Sequence, residues 1–144
     1  MESEVAVLLM SHGNFAKEAM KSAELIIGKQ ANMATLGVHL EDQVDALREE
    51  MLEKVKQLDT TKGLVVVTDI IGGTPMNLAG ALIGQENLVI SSGLSLPLLL
   101  ELLLNRTKET AELVPLMQQA YQAGQTIRTS ESFREEEDED DSIL

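Results

Sequence analysis

The sequence predicts an α/β fold: a doubly wound, mostly parallel central sheet flanked by helices on both faces. Three observations lead there. Short continuous apolar runs rich in strand formers mark strands buried on both sides. Between them lie stretches whose apolar residues recur three and four apart, the period of a helix with one packed face. Short loops of Gly, Ser, Asn and Asp join the two kinds of segment in alternation, the pattern of parallel strands linked by crossover helices.

The first strand is Val5–Met10, ended by Ser11-His12-Gly13. A helix follows, with Asn14 as its expected N-cap, an apolar stripe of Phe15, Ala19, Met20, Ala23, Ile26 and Ile27, and Gly28 closing it. Met33 to Leu40 reads as the second strand. From Asp42 to Leu58 the apolar residues Val44, Leu47, Met51, Val55 and Leu58 step by 3, 4, 4 and 3, which predicts the second helix. Gly63–Thr68 is the third strand, ending on Asp69. Gly72-Gly73-Thr74-Pro75 then supplies a glycine turn, a Thr N-cap and a Pro at the first helical position, starting a helix that runs toward Gly84. Glu86–Ser91 is the fourth strand, Ser92-Gly93 a turn, and Leu96-Pro97 opens an apolar helix to about Leu104. A last helix lies within Thr107 to Ala123, with Gly124 as its cap and Pro115 either near its start or at a kink. Gln125–Thr129 is a weaker fifth strand, at the sheet edge or paired with another subunit.

The 144 residues suit a single domain able to bury about two-thirds of the surface of its unfolded chain. The expected boundaries are a globular domain over 1–130 and an acidic, disordered tail over 131–144, which holds eight of the 24 acids and one of the 11 bases. The net charge of −13 repels phosphate backbones, and with no Trp, one Tyr and two Phe there are few rings for bases to stack on. Nucleic acid is therefore excluded as a partner. The absence of cysteine removes disulfides, thiolate nucleophiles and thiolate metal sites. The amino end is acidic, and the most apolar stretch, Leu94 to Leu104, falls well short of the ~20 residues of a membrane span. A cytoplasmic protein is expected.

In an open parallel sheet, ligands bind outside the carboxyl ends of the strands. Three loops converge there: Ser11-His12-Gly13, Asp69 with Gly72-Gly73-Thr74, and Ser91-Ser92-Gly93. Imidazole suits nucleophilic work near neutral pH, one ring nitrogen attacking while the other holds the proton. It needs an acceptor to fix that tautomer, and Asp69 is the candidate. Alone, a loop histidine is ordinarily a surface residue and a strand-end aspartate a turn former; the pairing of His12 with Asp69 carries the weight. Gly72, Gly73 and Thr74 let backbone N–H groups and a hydroxyl approach an anion at a helix start. Neither Gly-x-Gly-x-x-Gly nor a Gly-Lys-Ser/Thr ending is present. His39 lacks a carboxylate placed to orient it and reads as a surface residue, and the seven Met read as packing.

Ser11-His12-Gly13, then Asp69-x-x-Gly72-Gly73-Thr74-Pro75-x-Asn77, then Ser92-Gly93-Leu94-Ser95-Leu96-Pro97, in this order and spacing, resemble the mannose-family enzyme IIA domain of the bacterial phosphoenolpyruvate:sugar phosphotransferase system (PTS). The resemblance covers residue 5 to about 128. It implies that His12 accepts a phosphoryl group from the carrier HPr and passes it to a IIB domain, which phosphorylates a sugar entering through membrane subunits IIC and IID. It assigns Asp69 to orienting His12 and Thr74 to the active-site loop, with no cofactor and no metal. It further implies a homodimer whose C-terminal strand crosses to the partner's sheet. Ile70 departs from the pattern, standing where relatives carry a hydroxyl. With only the acidic extension after Ser130, a free-standing IIA is expected. Two other readings remain: a phosphohistidine-bearing regulator or dihydroxyacetone kinase phosphotransfer subunit, and, further off, a receiver phosphorylated on Asp69. The receiver would need an acidic pair after the first strand and a lysine after the last, and neither is present.

Overall fold

A computed structural model describes residues 3–137. Four strands, β1 (Ala6–His12), β2 (Met33–Val38), β3 (Leu64–Thr68) and β4 (Leu88–Ser92), form one sheet of order β2-β1-β3-β4 with every neighbouring pair parallel. Helices α1 (Phe15–Ile27), α2 (Val44–Lys56), α3 (Gly73–Ala79, extended by a 3₁₀ turn over Gly80–Leu82), α4 (Leu96–Leu104) and α5 (Thr110–Ala123) cover it. Among the described residues no helix is long and apolar enough to cross a membrane.

The continuous apolar strands make sense because the sheet has a core on each face. Val5, Val7, Leu9, Val65 and Val67 point to one side and pack with Ala16 and Ala23 of α1, Leu98, Leu99 and Leu102 of α4, and Leu113 and Met117 of α5. Ala6, Leu8, Met10, Leu64 and Val66 point to the other and meet Leu47, Met51 and Val55 of α2 and Leu78 of α3. Successive residues thus bury on opposite faces, so β1 and β3 are apolar on both until their carboxyl ends, where the buried Ser11 and Thr68 hydroxyls are hydrogen-bonded.

From β1 the chain winds outward through α1 to β2, then returns through α2 to β3 on the other side of β1. α1 and α2 therefore lie on opposite faces, and the winding direction reverses between β1 and β3. At such a switch point the two flanking loops diverge and leave a crevice.

Several local expectations are corrected. The apolar stripe of α1 is narrower than predicted: Phe15 and Ile26 are exposed, while the two alanines make the close approach to the sheet. Asn14 occupies the N-cap position without a side-chain cap; Ser11 Oγ instead accepts from the Ala16 N–H at 2.7 Å. Thr74 is not an N-cap, because α3 begins at Gly73, two residues before Pro75, and Gly72 takes that position. Pro115 lies inside α5, which starts five residues before it at Thr110; only the first-turn carbonyl of Ala111 loses a helical donor. Gln125–Thr129 forms no strand, and Ile127 is 80% exposed. Within the single chain the segment pairs with neither sheet edge, and an isolated strand has nowhere to place its backbone hydrogen bonds.

Ser130–Glu137 is helical (α6) where composition predicts a disordered tail. Its start is set locally: Thr129 and Ser132 exchange backbone-to-hydroxyl bonds, each 3.2 Å long, and Arg128 stacks 5.6 Å from the Phe133 ring centre. The remainder of the acidic run, 138–144, lies outside the described residues.

Arg106, in the loop before α5, is a feature that periodicity does not reveal. It is 2% exposed, and its guanidinium donates to the carbonyls of Val5 (3.0 and 3.1 Å), Ala31 (2.7 Å) and Asn32 (2.8 Å), with Glu4 at 3.3 Å. It ties the entry to β1, the entry to β2 and the α4–α5 loop together. Arg106→Met is expected to destabilise the protein by about 2–4 kcal/mol, since it takes both guanidinium donors from the buried Val5 carbonyl and unties the Ala31 carbonyl; urea unfolding measures this.

Candidate active site

β1 and β3 end together at the crevice. Met10 pairs with Thr68, so the next residues, Ser11-His12 and Asp69, continue side by side although His12 and Asp69 are 57 positions apart in sequence. The Asp69 N–H donates to the Met10 carbonyl at 3.1 Å, which carries the ladder one step past the last paired residue.

Asp69 receives three N–H groups. Oδ2 accepts from the His12 backbone N–H and from His12 Nδ1, each at 2.9 Å, and Oδ1 accepts from the Ile70 N–H at 3.0 Å. Burial pushes the Asp69 carboxyl up, but the His12 backbone and ring hydrogen bonds and the His12 charge outweigh it, so its pKa lies below the usual carboxylate value. The carboxylate is thus an anion near neutrality and can only accept. Nδ1 of His12 must then carry the proton, and the lone pair sits on Nε2. The His12 side chain is 54% exposed against 11% for Asp69. The base is sheltered while the ring edge faces solvent.

The Gly72-Gly73 turn closes over the other side of the ring. Both glycines have positive φ, +79° and +82°. A Cβ on Gly73 would lie 3.1 Å from His12 Cε1 and 3.4 Å from Nε2, so a side chain would press the ring a few tenths of an ångström out of place, and the backbone conformation disfavours one as well. Gly73→Ala is expected to destabilise the protein by about 1–2 kcal/mol and to turn the ring off Asp69. Thermal unfolding and the His12 imidazole NMR signals check the two effects.

Thr74 is half-buried and lines, with His12, a cavity of about 330 Å³ whose wall includes Val38, His39, Asp42 and Val44. No Lys or Arg lines it. His12, Asp69, Gly73 and Thr74 are therefore brought together. The Gly72 N–H is turned toward Met76 Sδ at 3.0 Å. The serines after β4 play a supporting part: Ser92 Oγ pairs with Thr68 Oγ1 at 2.8 Å, and the Thr68 carbonyl accepts from the Gly93 and Leu94 N–H groups at 2.9 and 3.0 Å. They brace the strand end from which Asp69 projects. Asn77 is exposed.

His39 is the residue that sequence reasoning passed over. It has a carboxylate after all: Asp42 Oδ2 accepts from its backbone N–H at 2.7 Å and stands 3.7 Å from Nδ1, while Nε2 is 3.3 Å from Asn14 Oδ1. The three-residue spacing of His39 and Asp42 was the available signal, obscured because the strand was carried on to Leu40.

The signature of the family described as PTS system fructose IIA component, EIIA-man, matches residues 6–115. The chain belongs to the EIIA-man family. It is a IIA component of the mannose/fructose class, and the α/β fold with its parallel sheet is that of its EIIA neighbours. The mannose-specific EIIAB component of the PTS of Escherichia coli is 30% identical over 115 residues, 78% of this chain and 36% of that protein. The chain thus spans about a third of that relative. The fructose-specific EIIA component of Bacillus subtilis is 27% identical over 100 residues, covering 69% of this chain and 68% of the other. The mannose/sorbose-specific IIA subunit from Enterococcus faecalis superposes with a TM-score of 0.79 at 26% identity, over 88% of this chain and 96% of the other. The EIIA-man match includes all the residues around the crevice, from Ser11 to Thr74, and stops before Gln125–Thr129.

Proposed function

We propose that this EIIA-man chain accepts a phosphoryl group from phospho-HPr on Nε2 of His12 and hands it to a IIB domain, which phosphorylates a sugar entering through the IIC and IID membrane subunits. The observation that carries this reading is the His12–Asp69 pair: Nδ1 is held on a sheltered carboxylate at 2.9 Å while the opposite ring edge is open to an incoming protein. As the Nε2–P bond forms, the N–P bond of the donor phosphohistidine breaks and its electron pair stays on the leaving imidazole. His12 acquires imidazolium character, which Asp69 stabilises without taking the proton. The Gly73 N–H and the Thr74 hydroxyl are the donors offered to the phosphoryl oxygens, and Gly72, whose N–H is engaged by Met76 Sδ, shapes the turn that presents them. A site without Lys or Arg holds the group loosely enough to release it.

Around the crevice Phe15, Leu40, Val44, Ile70 and Ile71 are exposed. In the monomer these are apolar side chains without cover, as expected of a face that docks HPr and IIB in turn. Ile70, in place of a hydroxyl, adds to that face what it removes from the polar set. The acidic body favours basic partner surfaces and speeds encounter at low salt, and the work is expected on the cytoplasmic side of the membrane.

The test is reconstitution. Phosphoenolpyruvate, enzyme I and HPr should yield an acid-labile, alkali-stable phosphoprotein, and adding IIB with its membrane subunits should discharge it with formation of sugar phosphate. Labelling without discharge would identify a regulator.

The phosphotransfer domain is assigned to 1–130 and the acidic tail to 131–144. Strand exchange in a homodimer fits the open side of β4: among the described residues no strand pairs with that edge, and a groove of about 330 Å³ runs along it between Ile90, Ser92, Val114 and Tyr121. Ending the chain at Gly124 is expected to convert the dimer to monomer in analytical ultracentrifugation.

A further inference from the structure

His39 lines the crevice with His12, yet the phosphoryl transfer just described gives it nothing to do. Its position follows from the sheet. His12 pairs with Val38 across β1 and β2, so His39 is the first residue past the ladder, beside the loop that carries the nucleophile. That loop touches the end of β2 at three points. The Gly13 N–H donates to the Val38 carbonyl at 2.7 Å; the Gly13 carbonyl packs so closely on Gly37 that a Cβ there would collide with it; and Asn14 Oδ1 faces His39 Nε2 at 3.3 Å. The first two are backbone ties. The third depends on side-chain identity.

Two details show that this third tie is built in. Asn14 stands at the N-cap of α1, where its side chain would ordinarily bond the helix's own N–H groups, but Ser11 Oγ fills that role and leaves Asn14 to His39. On its other side His39 is held by Asp42, which bonds its backbone N–H at 2.7 Å and stands 3.7 Å from Nδ1, while the Asp42 N–H returns to the His39 carbonyl at 3.1 Å. Asp42 fixes the His39 backbone, Nε2 of the ring donates to Asn14 Oδ1, and Asn14 is two residues from His12.

The hold on His12 is sensitive to that loop. Its backbone N–H and its Nδ1 share one oxygen, Asp69 Oδ2, so a small rotation of the peptide at His12 would disturb both bonds together. We propose that His39 is a positioning residue for His12: with Asn14 and Asp42 it clamps the β1–α1 loop to the β2–α2 loop and keeps the His12 ring seated on Asp69. The clamp acts through the placing of His12, so it governs the rate of transfer once the partner has docked. This inference rests on the reading of His12 as the acceptor.

The experiment compares His39→Ala, Asn14→Ala, the double variant and His39→Gln with the wild type, by rapid-quench phosphorylation from phospho-HPr and by ¹⁵N NMR of the His12 ring. Each alanine variant is expected to lower the transfer rate about 3- to 10-fold at unchanged half-saturation by phospho-HPr, a cost in line with a small loss of alignment. The double variant should be no slower than either single one, because both remove the same tie. His39→Gln, whose amide N–H can reach Asn14 Oδ1, should recover most of the rate. The His12 ring nitrogen signals should move in both alanine variants and return in the glutamine variant. Unchanged rates, multiplying effects in the double variant, or His12 signals that stay in place would overturn the clamp. The NMR arm needs no phosphoryl donor: if the wild type takes no label on His12 but its ring signals still respond to His39, the functional reading fails and the clamp stands as structure alone.

Discussion

His12→Ala abolishes phosphoryl acceptance from phospho-HPr, a fall of about 10³-fold or more, while the protein remains folded. The expectation follows from what the crevice offers. The nucleophile must present a lone pair to the solvent side, and the ring edge opposite Asp69 does so. The nearby hydroxyls are poorly placed to replace it: Ser11 is fully buried with Oγ committed to the Ala16 N–H, and Ser92 Oγ is paired with Thr68. The side chain is more than half exposed and outside both cores, so its removal should change stability by less than about 1 kcal/mol. Labelling followed by gel separation, with circular dichroism as the fold control, measures both effects. Label persisting in the variant would place the acceptor elsewhere and end the proposed mechanism.

Asp69→Asn is expected to slow transfer by about 10²-fold with the fold retained. The carboxylate accepts three N–H groups on two oxygens, two of them from His12. An amide keeps one acceptor oxygen and turns a donor NH₂ toward one of those sets, so at least one bond is replaced by an opposed pair of donors. The negative charge that stabilises His12 as it gains imidazolium character is lost too. The pH dependence carries a second signature. The carboxyl is held below its usual range in the folded protein, so its contribution to stability is present above the unfolded pKa and disappears as pH falls through the lower folded value. The stability difference between wild type and Asp69→Asn should therefore be constant near neutrality and shrink on acidification below about pH 4. Denaturant unfolding at a series of pH values follows it. A rate for Asp69→Asn equal to wild type would remove Asp69 from the mechanism.

The pairing of His12 with Asp69 was legible before any coordinates because both terminate apolar runs, and in a parallel sheet all such ends lie on one side. Gly73 is legible in the sequence as a turn former and as backbone open to an anion; that its missing side chain makes room for the imidazole is a matter of distance. Thr74 lies in the expected loop with a different local role: Thr-Pro is a strong helix-start signal, but α3 begins ahead of it, at Gly73. His39 was misjudged for a related reason: carrying the strand to Leu40 concealed the turn that sets Asp42 against it. Gln125–Thr129 carries strand-like residues, but a strand is a property of two edges, and within the one chain the segment pairs with none.

Local patterns were enough to establish alternating buried strands and amphipathic helices, the sheet end at which chemistry would lie, and the acidic character that turns away nucleic acid. Each of these depends on neighbours in sequence or on simple sums. Strand order, the reversal of winding between β1 and β3, the Asp69 oxygen shared by the His12 backbone N–H and Nδ1, and the Arg106 tie were decided only by folding. They depend on separations of a few ångströms between residues dozens of positions apart, and hydrophobic periodicity records which way a side chain faces without recording whom it meets.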